Sequence, residues 1–531
     1  MLPVFSTNTR RRQINLGGAQ TSSTSQSILN NAKQGREQRT EAKRRFDASV
    51  RIQSWWRGVT CRKVVRAQLE KVLDDEVKAG RSAGPTALRC LLIIHKKNVL
   101  DIWAKSVGPL ETQNHRIAFL LLENLTSNTA RVLSELLSHE TDLLTSLIQS
   151  GTYYSSIGTA IKATKDKKDS ILPFLISLAV QPFSQLQTYS QLYSVALKEL
   201  VQSILSVPIL PNRIPIPSLK QLSSKLPLVN LHLLSGLAVA ETDDSINILA
   251  NLLTLTPPRY SFLPAPALSA YLVLLADLLN VLPVGSLNPR DFLKSSNPVL
   301  DSDDEELPIV VSVVSSFQQP PPLPTIDSKT LKRLHTLIDS AHLFALVKIS
   351  SRSATCLVPL TQFILALTSV WPAKRETVFR SVLATYPAII RELYRSHIRS
   401  AALDQRNATP WAPLVLAVQL YAQALLTMGD DEFFGSGAGA GKDRNPLSLD
   451  ELRVFSKQLM SAVFDLYWRP PSDTLKTGMQ YTWLQIRDAI TKCLIGIHSR
   501  DSRKPFTPQD HWLVNQSQIE MDMGGFVEAA L

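Results

Sequence analysis

Cysteine is scarce in this chain. There are four in 531 residues (Cys61, Cys90, Cys356 and Cys493), with no CxxC pair and no histidine at ligand spacing. That argues against a zinc site and a disulfide framework, and it points to a reducing compartment. Aromatic residues make up only 7% of a chain that is 44% hydrophobic, and there are just 20 glycines, a balance that favours helices over a β-rich fold. Long apolar runs are missing too. The longest, ALSAYLVLLADLLNVLPV (267–284), is interrupted by Asp277 and Asn280 and broken at Pro283, so it reads as a buried helix rather than a membrane span.

Recognisable catalytic and cofactor chemistry is also absent. The nine histidines are dispersed, and none pairs at metal or triad spacing. His95, His232 and His342 lie in apolar helical segments and read as core histidines. GSGAGAGK (435–442) falls short of a phosphate loop, because Ser436 replaces the first glycine, Asp443 follows Lys442, and no strand precedes it. No active site, metal, cofactor or small-molecule ligand is expected. Ser302, in DSDDEE (301–306), stands directly before acidic residues and is a candidate phosphosite; the bland alternative is a solvating spacer.

Positive charge is concentrated at one end. Residues 1–71 hold 15 Lys and Arg against four Asp and Glu, so nearly all of the net charge of +12 sits there. Any polyanionic partner should meet this basic arm. Residues 1–30 contain no acid and many Ser and Thr; they superficially resemble a transit peptide but lack its amphipathic pattern, and are expected to be disordered. Residues 31–79 carry strong helix formers and no proline, predicting one long exposed helix.

From residue 86 onward, Leu-rich helical segments follow one another with short polar or proline-bearing breaks and no fixed repeat period. The expectation is an all-α chain forming an irregular α-solenoid of armadillo or HEAT character, with a large helical bundle as the alternative. Two insertions divide it: an acidic and polyproline stretch at 285–327, and a glycine-rich loop at 430–448. The predicted helical halves are therefore 86–284 and 328–500, followed by a linker at 501–531.

One stretch carries a positive signal. VRIQSWWRGVTCRKVV matches the pattern IQxxxRGxxxRxxφ at Ile52, Gln53, Arg57, Gly58, Arg62 and Val65. On a helix, Ile52, Trp55, Trp56 and Val59 fall within about 100° of each other, while Arg51, Arg57 and Arg62 lie off that stripe. A basic helix with large apolar anchors suits an EF-hand protein of the calmodulin type, whose acidic lobes complement the arginines while its groove takes the tryptophans. The competing reading packs Trp55 and Trp56 against the first helices of the chain's own array. Nucleic-acid binding rests on charge alone and is the weakest reading.

INLGG (14–18), the charged helix and the IQ motif together resemble the N-terminus of IQ-containing HECT-type ubiquitin-protein ligases of the proteasome-associated branch. DDEFFG (430–435) followed by PLSLDEL (446–452), and then SRDSRKPFTPQDHWL (499–513), resemble segments of the same family in the same order. The acidic, serine-bearing loop at 301–306 has a counterpart there. The resemblance implies a substrate- and partner-binding region, with the proteasome and a ubiquitin-conjugating enzyme as partners and the cytoplasm or nucleus as location. In that family a C-terminal domain takes ubiquitin onto a cysteine and passes it to a substrate lysine. None of the four cysteines here has a comparable context, and the sequence given stops at Leu531. Two expectations follow: the N-terminal region of such a ligase, or a free-standing IQ scaffold without transfer chemistry.

Overall fold

Leu and other apolar residues recur at helical spacing in the periodic segments, and the breaks between them carry Pro, Gly and capping hydroxyls, so helices are the natural local outcome. The computed structural model describes residues 25–108, 115–234, 241–256, 259–288, 326–401, 403, 411–435, 445–468 and 479–513. Every regular element among the described residues is a helix; the chain is all-α. It divides after His95 into two units.

The first unit holds the helix Ser25–Lys78, which spans 54 residues, about 80 Å at the α-helical rise. It begins at Ser25 rather than Asn31, so the expected disorder does not extend to residue 30; residues 1–24 lie outside the described residues. Gly80 turns the chain in the left-handed region at φ 71°, a conformation that costs glycine nothing. Arg81 then reaches back to Glu76 at 2.9 Å. The helix Pro85–Ile94 follows with proline in its first turn and packs on the long helix; Leu73, Leu88, Leu91 and Ile94 are buried. It belongs to the arm's unit, so the array starts after it rather than at residue 86.

In the second unit, the helices Ala265–Asn280 and Leu357–Val370 pack along each other, and the latter is buried nearly all round. Helix Ala265–Asn280 contains the longest apolar run, and its residues face protein: Leu268, Tyr271, Leu272, Leu275 and Leu279 are all buried. No single helix among the described residues is long and apolar enough to cross a membrane. The bent pair Ala354–Val370 and Pro372–Thr385 passes such a test on length and composition only.

The two predicted halves are joined directly. Gly285 N donates to Ser369 O at 3.2 Å and Leu287 N to Val370 O at 3.3 Å. Gln480 Nε2 donates to Asn280 O and Leu282 O, both at 2.7 Å. Residues 285–288 therefore close the first half onto the second instead of opening a loop, and the expected split is corrected to one body. Residues 289–325, including Ser302, lie outside the described residues. The expected loop at 430–448 is likewise shorter: Asp430–Phe434 forms a helical turn with Phe433 buried, and Asn445 and Leu447 are buried. Residues 436–444 lie outside the described residues.

Helix crossings in this unit exploit small residues. The helix Gln191–Glu199 continues into a π-helical turn, Leu200–Leu205, which lies against the helix Tyr153–Ala163 at Gly158. A Cβ at position 158 would lie 2.4 Å from Ser203 O and 3.1 Å from its carbonyl carbon, and backbone cannot rotate away. Gly158→Ala is expected to destabilise the second unit by about 3 kcal/mol in urea unfolding, the upper end of overpacking costs. Gly496→Ala is the control: its Cβ would meet the Cδ1 of Leu425 at 2.9 Å, a side-chain tip that can move. Equal stability of Gly158→Ala and wild type would mean that these helices are not locked at this distance.

The histidine expectations divide. His95 is exposed, with φ 50° at a helix C-terminus, and His232 is exposed as well; neither is a core residue. His342 is buried edge-on against Tyr260 at 5.2 Å, and its Nε2 has no partner among the described residues. Burial pushes its imidazolium down and Asp339 pulls it partly back, leaving it at about 4. The unfolded chain, titrating near the ordinary 6.5, therefore binds the extra proton between pH 6.5 and 4, and stability falls as pH drops through that window. The expected loss is on the order of 3 kcal/mol, at about 1.4 per pH unit. Urea midpoints at pH 7 and pH 4.5 should differ clearly less in His342→Gln than in wild type; an unchanged difference would assign the acid lability elsewhere.

Candidate functional site: the basic IQ helix

The arm is helical because Ala, Arg, Lys, Gln and Glu, all strong helix formers, fill it, and its hydroxyls are absorbed by bonding back onto the helix. Ser49 Oγ donates to Phe46 O, Ser54 Oγ to Arg51 O, and Thr60 Oγ1 to Trp56 O, each at 2.8–3.0 Å. Arg45 and Glu41 add an i, i+4 ion pair. Over its whole length the helix has no single apolar face, so the apolar stripe at the IQ motif is local.

At the motif, Ile52 is 66% exposed, Trp55 62% and Trp56 64%. Such exposure of three large apolar side chains within two turns is uncommon for a surface with no partner. The indole rings stand 6.5 Å apart and tilted by 48°. Val59 is half-buried, and Val65 is 41% exposed. Gln53, Arg57 and Arg62 are exposed, and Arg51, Arg57 and Arg62 form no ion pair among the described residues. Gly58 makes room for a neighbour: a Cβ there would lie 3.4 Å from Arg62 Nη1, so the guanidinium folds over the glycine. The result is one surface with apolar anchors and guanidinium groups that form no ion pair among the described residues. It can grip an acidic partner that offers an apolar cleft; it holds no acid, base or nucleophile in a reactive arrangement.

The four thiols separate as their sequence contexts suggest. Cys90, Cys356 and Cys493 are buried and Cys61 is exposed on the arm. Burial raises all three buried thiols above their ordinary value. Among the described residues no group of three or more His, Cys, Asp or Glu is placed to hold a metal ion.

A second constellation was not legible in the sequence. DDEFFG and SRDSRKPFTPQDHWL, far apart along the chain, meet in space. Arg500 pairs with Asp430, and Arg503 reaches the same carboxylate at 3.3 Å. Phe433 and Phe506 sit edge-on at 5.8 Å, and Lys504 lies over the Phe434 ring at 4.9 Å. Asp501 then gathers the segment that follows: it accepts from Phe506 N at 2.7 Å, Thr507 N at 3.0 Å, Thr507 Oγ1 at 2.6 Å and Trp512 Nε1 at 2.8 Å. Ser456 and His511 are hydrogen-bonded at 2.8 Å, and Lys457 Nζ donates to His511 O at 3.0 Å. Residues 504–513 are thus a strap folded onto the helix Leu449–Trp468, which corrects the expected linker from 501. Residues 514–531 lie outside the described residues. The overlooked signal was the pairing of turn-forming Pro505 and Pro508 with Phe506 and Trp512, apolar residues that a solvated linker does not need. No protein-family model matches the chain, and no solved structure matches it.

Proposed function

We propose that this chain is the partner-binding N-terminal region of a HECT-type ubiquitin-protein ligase, a helical scaffold of solenoid character whose basic arm docks a calmodulin-like EF-hand protein. The observation that carries the docking role is the simultaneous exposure of Ile52, Trp55 and Trp56 beside arginines that form no ion pair among the described residues. The ligase assignment rests on the order of the IQ helix, DDEFFG, PLSLDEL and SRDSRKPFTPQDHWL. The meeting of the DDEFFG and SRDSRKPF segments supports it, because it gives those residues one shared structural task. Ubiquitin transfer needs an accessible thiolate beside a docked conjugating enzyme. Three of the four thiols are buried, and the fourth stands on an exposed helix, so the transfer step belongs to another part of such a ligase. The protein would act in cytoplasmic or nuclear protein turnover, with the proteasome and a conjugating enzyme as partners.

The second reading, a free-standing IQ scaffold, is favoured by the same arm and differs in what is encoded next. Sequencing the transcript beyond the Leu531 codon separates the two. An open frame encoding a HECT domain supports the ligase, whereas an immediate stop codon leaves the scaffold.

A further inference from the structure

A second charged surface lies within the second unit, in the groove between the helices Arg375–Thr385, Trp411–Thr427 and Trp483–Arg503. This groove has a cavity of about 470 Å³. Its floor is apolar: Phe379 and Tyr481 are buried there, and Leu426 stands at the edge 70% exposed.

The charges along it do not cancel as they first seem to. Glu376 is held by Arg380 at 2.8 Å, and Asp488 lies 3.3 Å from Arg487. Both acids are therefore neutralised by arginines, while Arg375 and Lys492 form no ion pair among the described residues. Arg375 lies over the Tyr481 ring, and its Nε is buried with no hydrogen-bond partner among the described residues. An N–H in that position is unsatisfied until an acceptor arrives.

Carboxamides complete the surface. Gln419 and Gln423 sit one helical turn apart, and Gln485 faces them from the opposite helix. Gln419 Oε1 accepts from Tyr481 Oη at 3.4 Å, and Gln485 Oε1 from Thr482 N at 3.0 Å. Their amide N–H groups remain able to donate. Carboxamides spaced in this way suit the alternating C=O and N–H groups of an extended chain.

We propose that this groove binds an extended acidic peptide segment of a partner protein, with main-chain contacts to the three glutamines, an apolar side chain over Phe379 and Leu426, and carboxylates on Arg375 and Lys492. This surface does not depend on the arm, so the proposal can fail while the arm's role stands. Nucleic acid fits less well, since the aromatic residues lining the groove, Phe379 and Tyr481, are buried and offer no stacking platform.

The test is fluorescence anisotropy of the full chain with a fluorescein-labelled peptide of alternating Asp and Leu, and with its Lys and Leu counterpart. The acidic probe should bind and weaken with added salt. The double variant Arg375→Gln, Lys492→Glu should lose about tenfold in affinity, as expected for charge-assisted contacts. Lys492→Glu alone changes an exposed side chain and serves as the variant certain to keep the fold; it should weaken the acidic probe measurably. The basic arm can also attract an acidic peptide, so Arg57→Ala with Arg62→Ala is the necessary partner experiment. Binding lost in that arm variant but untouched by the groove variants would overturn the proposal. So would equal binding of the acidic and basic probes, or no binding of the acidic probe.

Discussion

Replacing Trp55 and Trp56 together by alanine in the full chain is expected to weaken calmodulin binding by roughly 100-fold. Central aromatic anchors commonly contribute about 2–4 kcal/mol, and each 1.4 kcal/mol is about tenfold. Both rings are largely exposed, so their removal empties no core and the variant should melt with the wild type. Arg57→Ala with Arg62→Ala should act differently. These exposed cations steer the encounter, so their loss should mainly slow association and flatten the salt dependence. Isothermal titration with and without calcium gives the affinities, and stopped-flow mixing gives the rates. A tryptophan-free arm that binds as tightly as the wild type would show that the stripe is not the anchor.

The second large effect concerns the strap. Asp501→Ala is expected to cost about 3–4 kcal/mol, because one carboxylate serves two backbone N–H groups, one hydroxyl and one indole N–H, all left without their acceptor. Burial alone would raise this carboxyl. The bonds from Thr507, Phe506 N and Trp512 outweigh that and hold it at about 2, below the ordinary 3.8. A carboxyl lowered in this way contributes its stability above the unfolded value and loses it as pH falls through about 2, so at neutral pH the contribution is complete. Trypsin should cut Asp501→Ala early after Arg503, while the wild-type strap resists. Asp501→Asn keeps acceptor capacity and should fall between the two. If all three proteins are cut equally fast, residues 504–513 are not held by Asp501.

The helices were legible because Leu-rich segments with a 3.6-residue rhythm leave little choice of secondary structure. The arm's exposure was legible from its charge. Long-range closure was not. Nothing in NVLPVGSLN announces that Gly285 and Leu287 will bond to Ser369 and Val370, because those partners are chosen by tertiary packing rather than local pattern. The same holds for the strap: Asp501 resembles a surface acid until Phe506, Thr507 and Trp512 converge on it. His232 misled in another way, since an apolar neighbourhood in sequence does not say which face of a short helical turn looks outward.

The central claim is that the IQ helix, rather than the array, receives the EF-hand partner. Hydrogen exchange of the full chain, measured alone and with saturating calmodulin, tests it most directly. The backbone amides of an exposed helix open readily, and a gripping partner slows them where it sits. New protection is expected to concentrate at residues 50–65, with the array unchanged. Protection confined to residues beyond His95, or none anywhere, would contradict it.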